Sequence, residues 1–190
     1  MPYKQYYFIC INTFTLIGDE YMNLPRIRSA LNSDIEKIKQ IYFSTVTWMS
    51  NNNHKQWRYT DIKLLFEIFE IAEFFVYEYN AEILGVIIIS EKDISHSWEK
   101  ISFKKKSLYL YRLVIGREYA KKGYAKDLLD FAKNYGFSHG FEQLCLLCLK
   151  RKTKLVQFYL DNDFFNTYET IIQTENEPSI FFVHNLSIMG

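Results

Sequence analysis

Cysteine is scarce in this chain: three residues, Cys10, Cys145 and Cys148, among 190. Three thiols cannot build the disulfide framework of a small secreted domain, and their number fits a reducing cytoplasm. Cys145 and Cys148 form a C-x-x-C, but they lie in an apolar run, Leu144 to Leu149, that reads as a strand. Residues three apart on a strand point to opposite faces, so the pair suits neither a shared metal nor a redox couple. No second Cys/His pair completes a zinc site. An excess of one charge is lacking too. The 23 Lys and Arg balance the 22 Asp and Glu to a net +1, so no global field argues for nucleic acid or an anionic membrane. No apolar run is long enough to span a bilayer. The four histidines are scattered and none joins a Ser or Cys in a recognisable nucleophile motif, which removes support for a triad hydrolase.

Aromatic residues, in contrast, are abundant at 18%, with Phe 16 and Tyr 15. Such an excess predicts a large aromatic core, and the length suits one compact domain. Residues 1–22 read as an N-terminal extension, an arm or an extra strand, ahead of a domain over 23–190. An alternative start of translation at Met22 is equally compatible with the pattern. Tyr6 to Ile17 is moderately apolar but lacks a basic n-region and a small-residue cleavage site, unlike a signal peptide.

The domain alternates between two periodicities. Leu24 to Ser29 reads as a first strand, and Ser33-Asp34-Ile35-Glu36 as a capping box opening a helix with Ile35, Ile38, Ile41 and Tyr42 on one face. Thr60 is placed to cap a second helix bearing Ile62, Leu65, Phe66 and Phe69. Phe74–Tyr79 and Ile83–Ser90 read as a hairpin linked by Asn80 to Glu82, the second strand apolar throughout, as when both faces are covered. After a charged loop, Leu108–Ile115 is a strong strand, and Gly123 opens a helix that Gly136 and Gly140 punctuate. A strand Gln143–Leu149, a helix Thr153–Leu160 and strands Thr167–Gln173 and Ile180–Leu186 complete the order β-α-α-β-β-β-α-β-α-β-β. This predicts an α/β domain with a mixed, mostly antiparallel central sheet flanked by helices.

The stretch Tyr109 to Phe165 carries the chemistry. A glycine at a strand-to-helix junction leaves backbone N–H groups unobstructed at the positive end of the helix dipole, which suits a phosphate. Gly123 holds that position, beside Lys121 and Lys122. A capped helix with solvated lysines would look the same from these residues alone. The basic link Lys150-Arg151-Lys152-Lys154 likewise reads as a solvated link, an RNA contact or a partner for cofactor phosphates, and the near-zero net charge disfavours RNA.

The order of these motifs resembles the GNAT superfamily of acyl-CoA N-acyltransferases. Ala120-Lys121-Lys122-Gly123-Tyr124-Ala125 is similar to the family's pyrophosphate turn, Q/R-x-x-G-x-G/A, followed by a helix. Phe158-Tyr159 matches the Phe-Tyr pair of its last helix, and Asp163-Phe164 stands where Gly-Phe is usual. RIRSALNSDIEKIKQIY and FFVYEYNAEILGVIII resemble its first strand and helix and its second and third strands. The resemblance runs from Leu24 to Leu186. Three positions depart from the pattern: Ala120 for Gln or Arg, Lys152 for a CoA-contacting Asn, and Asp163 for Gly.

The resemblance implies acetyl-CoA as co-substrate and an amine acceptor, a small molecule or a peptide. It implies that the backbone of Leu113, Val114 and Ile115 pairs with pantetheine and polarises the thioester. The amides from Lys121, Lys122, Gly123 and Tyr124 to Ala125 would hold the pyrophosphate, with Lys152 and Leu155 adding contacts. Tyr159 would protonate the leaving thiolate. Tyr111 stands where close relatives often carry His. An alkyl ammonium must lose a proton before attack, and Glu78 is the candidate base, acting through water, or else an exposed strand carboxylate. Tyr109 and Tyr111 share a strand face and either line the acceptor pocket or pack. The loops 47–59 and 91–107 shape that pocket, and Trp48, Trp57 and Trp98 either stack on substrate or cap the core. The same fold can bind acyl-CoA without turnover, as a sensor or interaction module. A soluble monomer or homodimer without nucleic-acid or membrane partners is expected.

Overall fold

The computed structural model describes residues 25–54, 57–94, 98, 105–174 and 177–186. The N-terminal extension, 1–22, lies outside them. The elements are β1 Arg26–Ser29, α1 Ile35–Asn51, α2 Tyr59–Ile68, β2 Phe74–Tyr79, β3 Glu82–Ser90, β4 Ser107–Ile115, α3 Tyr124–Ser138, β5 Gln143–Leu149, α4 Thr153–Leu160, β6 Phe165–Thr174 and β7 Glu177–Asn185. Seven strands form one sheet in the order β1-β2-β3-β4-β5-β7-β6. Every neighbouring pair is antiparallel except β4 and β5. The mixed, mostly antiparallel architecture expected from the sequence is the observed one.

Two hydrophobic layers explain the near-continuous apolar run of β3. One layer joins α1 and α2, through Ile38, Tyr42, Ile62 and Leu65, to Val76, Val86, Ile88 and Val114. The other joins α3 and α4, through Leu128, Leu129, Ala132 and Tyr159, to Phe75, Ile87, Leu110, Leu146 and Phe182. Burying each such side chain stabilises the fold by roughly 1.5–3 kcal/mol. A third, smaller cluster gathers Trp98, Cys145, Phe181 and Val183. Cys145 therefore faces one side of β5 and Cys148 the other, as the strand period requires, and both thiols are free.

The structure corrects several boundaries. No Ser33 cap forms; a short 3-10 turn, Asn32–Asp34, leads into α1, and Asp34 accepts the Leu31 N–H at 2.8 Å. Helix α2 starts before Thr60, because Asp61 reaches back to the Arg58 N–H at 3.0 Å. A carboxylate three residues into a helix satisfied the orphan donor at each start, ahead of the hydroxyl beside it. Gly136 does not end α3: the helix passes through it, and a Cβ there would come within 2.6 Å of the Leu186 side chain. The β2–β3 turn is shorter than expected, with Asn80 and Ala81 both left-handed and Glu82 already in the strand.

Candidate active site

Strands β4 and β5 begin as neighbours and then part. Their pairing covers Ser107↔Gln143, Leu108↔Leu144 and Tyr109↔Cys145 only. Beyond Tyr109, β4 stays paired with β3, and β5 with β7. Leu110 to Ile115 thus turn an edge of backbone N–H and C=O groups into a V-shaped gap. Such an edge takes an extended amide-bearing chain as an added strand takes a partner.

The β3–β4 register slips between Val86 and Ile88, where Arg112 and Leu113 of β4 together face Ile87 of β3. This β-bulge holds Arg112 at φ +49°. A non-glycine residue there is uncommon and needs support. Tyr42, fully buried on α1, supplies it by donating its hydroxyl to the Arg112 carbonyl at 2.9 Å. The bulge re-aims the backbone that leads into Leu113, Val114 and Ile115.

Strand β4 exits at Gly116, whose N–H donates to the Leu84 carbonyl at 2.8 Å. A tight turn follows, with Lys121 at φ +65° and Gly123 at φ +91° capping α3. Among the described residues, none of the N–H groups of Lys121, Lys122, Gly123, Tyr124 or Ala125 donates to a protein acceptor. A Cβ built on Gly123 meets nothing within 4 Å. The turn is an open nest of amide donors at a helix N-terminus.

Tyr159, on α4, lies against Phe158, Phe164 and Phe182. The half-buried side chains of Leu113, Ile115, Tyr124 and Leu155 pack onto the same cluster. One face of the sheet therefore gathers Tyr159 with the β4 edge, the start of α3 and α4. Burial raises the pKa of the Tyr159 phenol, and the nearby Cys148 sulfur raises it further. The Cys148 thiol itself is pushed up to about 12 by burial. Both groups keep their protons at neutral pH.

Glu78 and Tyr111 sit on the other face. Glu78 is buried and ion-paired to Arg26 at 2.6 Å and to Arg28, which also binds Asp34 at 2.6 Å. Burial alone would raise the Glu78 carboxyl; the two guanidiniums outweigh it and hold it below the usual carboxylate range. The network ties β1, β2 and the start of α1 together, two strands away from β4. It is neither an exposed carboxylate nor a neighbour of Tyr159. The Asp34 carboxyl is lowered as well, chiefly by its hydrogen bonds from Arg28. The stability from these two acids is complete above their ordinary values of 4.5 and 3.8, and is lost as pH falls through the lower folded values. Glu78→Gln is expected to cost about 1–3 kcal/mol at pH 7 and to flatten the loss of stability below pH 5, which urea unfolding as a function of pH will measure. Tyr111 pins the loop after β3, accepting from the Ile94 N–H at 3.2 Å and donating to the Lys92 carbonyl at 2.8 Å.

Comparison with known proteins gives the family and the fold. The model of the acetyltransferase (GNAT) family matches residues 35–164, more than half of the chain. The chain belongs to the GNAT acetyltransferase family. Solved structures share the fold. A GNAT-family acetyltransferase of Listeria monocytogenes superposes with a TM-score of 0.68 at 20% identity, covering 85% of this chain and 94% of its own. One from Staphylococcus aureus reaches 0.63 at 17%, over 86% and 100%. The yncA protein of Salmonella typhimurium, solved with its cofactor acetyl-CoA, reaches 0.61 at 14%, over 88% and 97%. No curated protein matches the sequence.

GNAT enzymes use acetyl-CoA as co-substrate, and the residues present fit it. The five free amides and the unobstructed Gly123 suit a pyrophosphate, while the unpaired edge of β4 suits the pantetheine amides. Of the departures from the GNAT pattern, Asp163 holds a left-handed backbone, φ +62°, a conformation that glycine adopts freely and Asp tolerates. Lys152 is the N-cap residue of α4. Among the described residues no His, Cys, Asp or Glu cluster can hold a metal ion, and no helix is long and apolar enough to cross a membrane.

The tryptophans divide. Trp98 is core, edge-on to Phe181 at 4.7 Å. Trp57 meets Tyr42 and Arg112, and Trp48 lies under Arg117 at 3.7 Å. The sequence reading missed Tyr42 and Arg112 as site residues. A tyrosine on the buried face of α1 reads as core, and no pattern signals a bulge inside an apolar strand.

Proposed function

We propose that this GNAT protein transfers the acetyl group of acetyl-CoA to a primary amine by direct attack in a ternary complex. The observation that carries the reading is the convergence of three features on one gap. These are the unpaired edge of β4 from Leu110 to Ile115, the free amides of the Gly123 turn, and the buried Tyr159 phenol. In this reading the backbone of Leu113, Val114 and Ile115 orients the pantetheine arm and donates to the thioester oxygen as it gains negative charge. The amide nest from Lys121 to Ala125 fixes the pyrophosphate, and Lys152 and Leu155 flank the arm.

The neutral amine attacks the carbonyl carbon; the C–N bond forms, the C–S bond breaks, and the Tyr159 hydroxyl gives its proton to the departing sulfur. The nitrogen, cationic once the C–N bond has formed, releases its proton to solvent, and the tyrosinate left on Tyr159 takes one back from solvent, so no net proton is gained or lost. Glu78 braces β1 against β2 in this reading, because two guanidiniums make its carboxylate a weak base. Tyr111 positions the loop that borders the acceptor. The rate then rests mainly on orientation and on preorganised donors.

Calorimetric titration with acetyl-CoA, with adenosine as control, followed by thiol detection over an amine panel, tests the proposal. Micromolar binding of acetyl-CoA together with thiol release dependent on an amine supports it. Binding with no release for any amine leaves an acyl-CoA-binding module instead.

A further inference from the structure

The bulge residue Arg112 gives its main chain to β4 and its side chain to the α1–α2 face. Its guanidinium carbon lies 5.2 Å from the centroid of Trp57, and Tyr42 meets the same indole edge-on at 6.0 Å. Guanidinium carries five N–H donors. Among the described residues, no carboxylate or carbonyl pairs with any of them. Asp61 acts on Arg112 only as a more distant charge, since its oxygens are engaged by Arg58. Burial, the largest influence, lowers the Arg112 pKa. Beside it, the Trp57 indole N–H is buried and has no partner.

Two unsatisfied donors thus stand together on one side of the bulge. The indole N–H is the buried one and costs about 1–3 kcal/mol while unpaired; the guanidinium, half-buried, keeps its donors open to an acceptor from outside the chain. A planar oxyanion fits a guanidinium fork with an N–H at its side. The nearby negative charge of Asp61 favours a monoanion over a phosphate dianion. Position gives the group its use: Arg112 immediately precedes Leu113, the start of the backbone that receives the thioester in the proposed reaction.

We infer that Arg112 and Trp57 bind a carboxylate of the acceptor, so that the amine acetylated belongs to a molecule of the amino-acid class. This rests on the acetyl transfer proposed above. The carboxylate anchors on the α1–α2 face while the amine points into the gap towards the acetyl group. The cofactor enters from the Tyr159 face, so donor and acceptor approach the bulge from opposite sides of the sheet.

The test compares the standard amino acids with their carboxamides and decarboxylated amines, alongside polyamines and aminoglycosides, by thiol release under saturating acetyl-CoA. The expected result is a kcat/KM at least about tenfold higher for one or more free carboxylates than for the matching carboxamide. Arg112→Gln should lower that carboxylate-to-carboxamide ratio at least about tenfold. Trp57→Phe keeps the ring under the guanidinium, removes one donor, and should lower the ratio about three- to tenfold. If Arg112→Gln fails to fold, Trp57→Phe still decides. Calorimetric titration of the best amino acid into the CoA-bound protein, with its carboxamide as control, should show the same preference without turnover. Equal use of carboxylate and carboxamide by the unsubstituted protein, a ratio unchanged in both variants, or transfer to polyamines or aminoglycosides alone overturns the inference and leaves the proposed transfer standing. Acetyl-CoA binding with no transfer to any amine sinks both.

Discussion

Tyr159→Phe is expected to lower kcat for acetyl transfer about a hundredfold or more while changing the acetyl-CoA dissociation constant less than about threefold. The size follows from the role, since a positioned general acid contributes about 10²–10⁴-fold. The separation of the two effects follows from packing. The Tyr159 ring lies 5.8 Å from Phe164 and from Phe182 and 5.5 Å from Phe158, and phenylalanine keeps all three contacts. Only the O–H is removed. Burial raises the phenol pKa, so the hydroxyl is protonated at rest and present to donate to the departing sulfur as the C–S bond breaks. Single-turnover thiol release gives the rate and calorimetry the affinity. An unchanged kcat would leave Tyr159 a core aromatic and give the proton transfer to water.

The sheet and both layers were legible because apolar periodicity reports the covered faces, and here those faces are long. The run Ile83 to Ile89 reads as a strand buried on both sides and the stripe Leu128, Leu129 and Ala132 as a helix lying on one, and each is found so. The ends of elements were less legible. At Ser33 and Thr60 a hydroxyl had the better cap pattern, yet Asp34 and Asp61 reached back to the preceding N–H groups instead. The glycine turn was readable because Gly123 needs a positive φ that other residues resist.

What meets on the α1–α2 face of the sheet was not readable, for a different reason. Glu78, Arg26, Arg28 and Asp34 lie up to 52 positions apart and meet only when β1 pairs with β2. Arg112 and Trp57 meet only once a bulge turns the arginine towards α1. Sequence spacing encodes what shares a face of one element; it says little about which faces of distant elements converge. That is also why Glu78 could be read as a base from its chemistry while the structure gives it two guanidinium partners.

Gly123→Ala is expected to weaken acetyl-CoA binding about tenfold or more, with a smaller effect on kcat at saturation. Two costs combine. An L-residue at φ +91° is strained, by about 1–2 kcal/mol, and the new methyl projects into the open space over the amides of Lys121 to Ala125, where the proposed reading seats the phosphates. Strain alone would destabilise the protein without touching the ligand, and the fold provides its own control. Gly140, at the opposite end of α3, has φ +70° and equally open surroundings, with nothing within 4 Å of an added Cβ. Gly140→Ala should therefore lose similar stability in thermal unfolding yet bind acetyl-CoA as before. A tenfold loss of affinity confined to Gly123→Ala ties the turn to the phosphates. Equal affinity in both variants would mean that the open amides serve the helix end and not the ligand, and that the pyrophosphate is held elsewhere along α3 and α4.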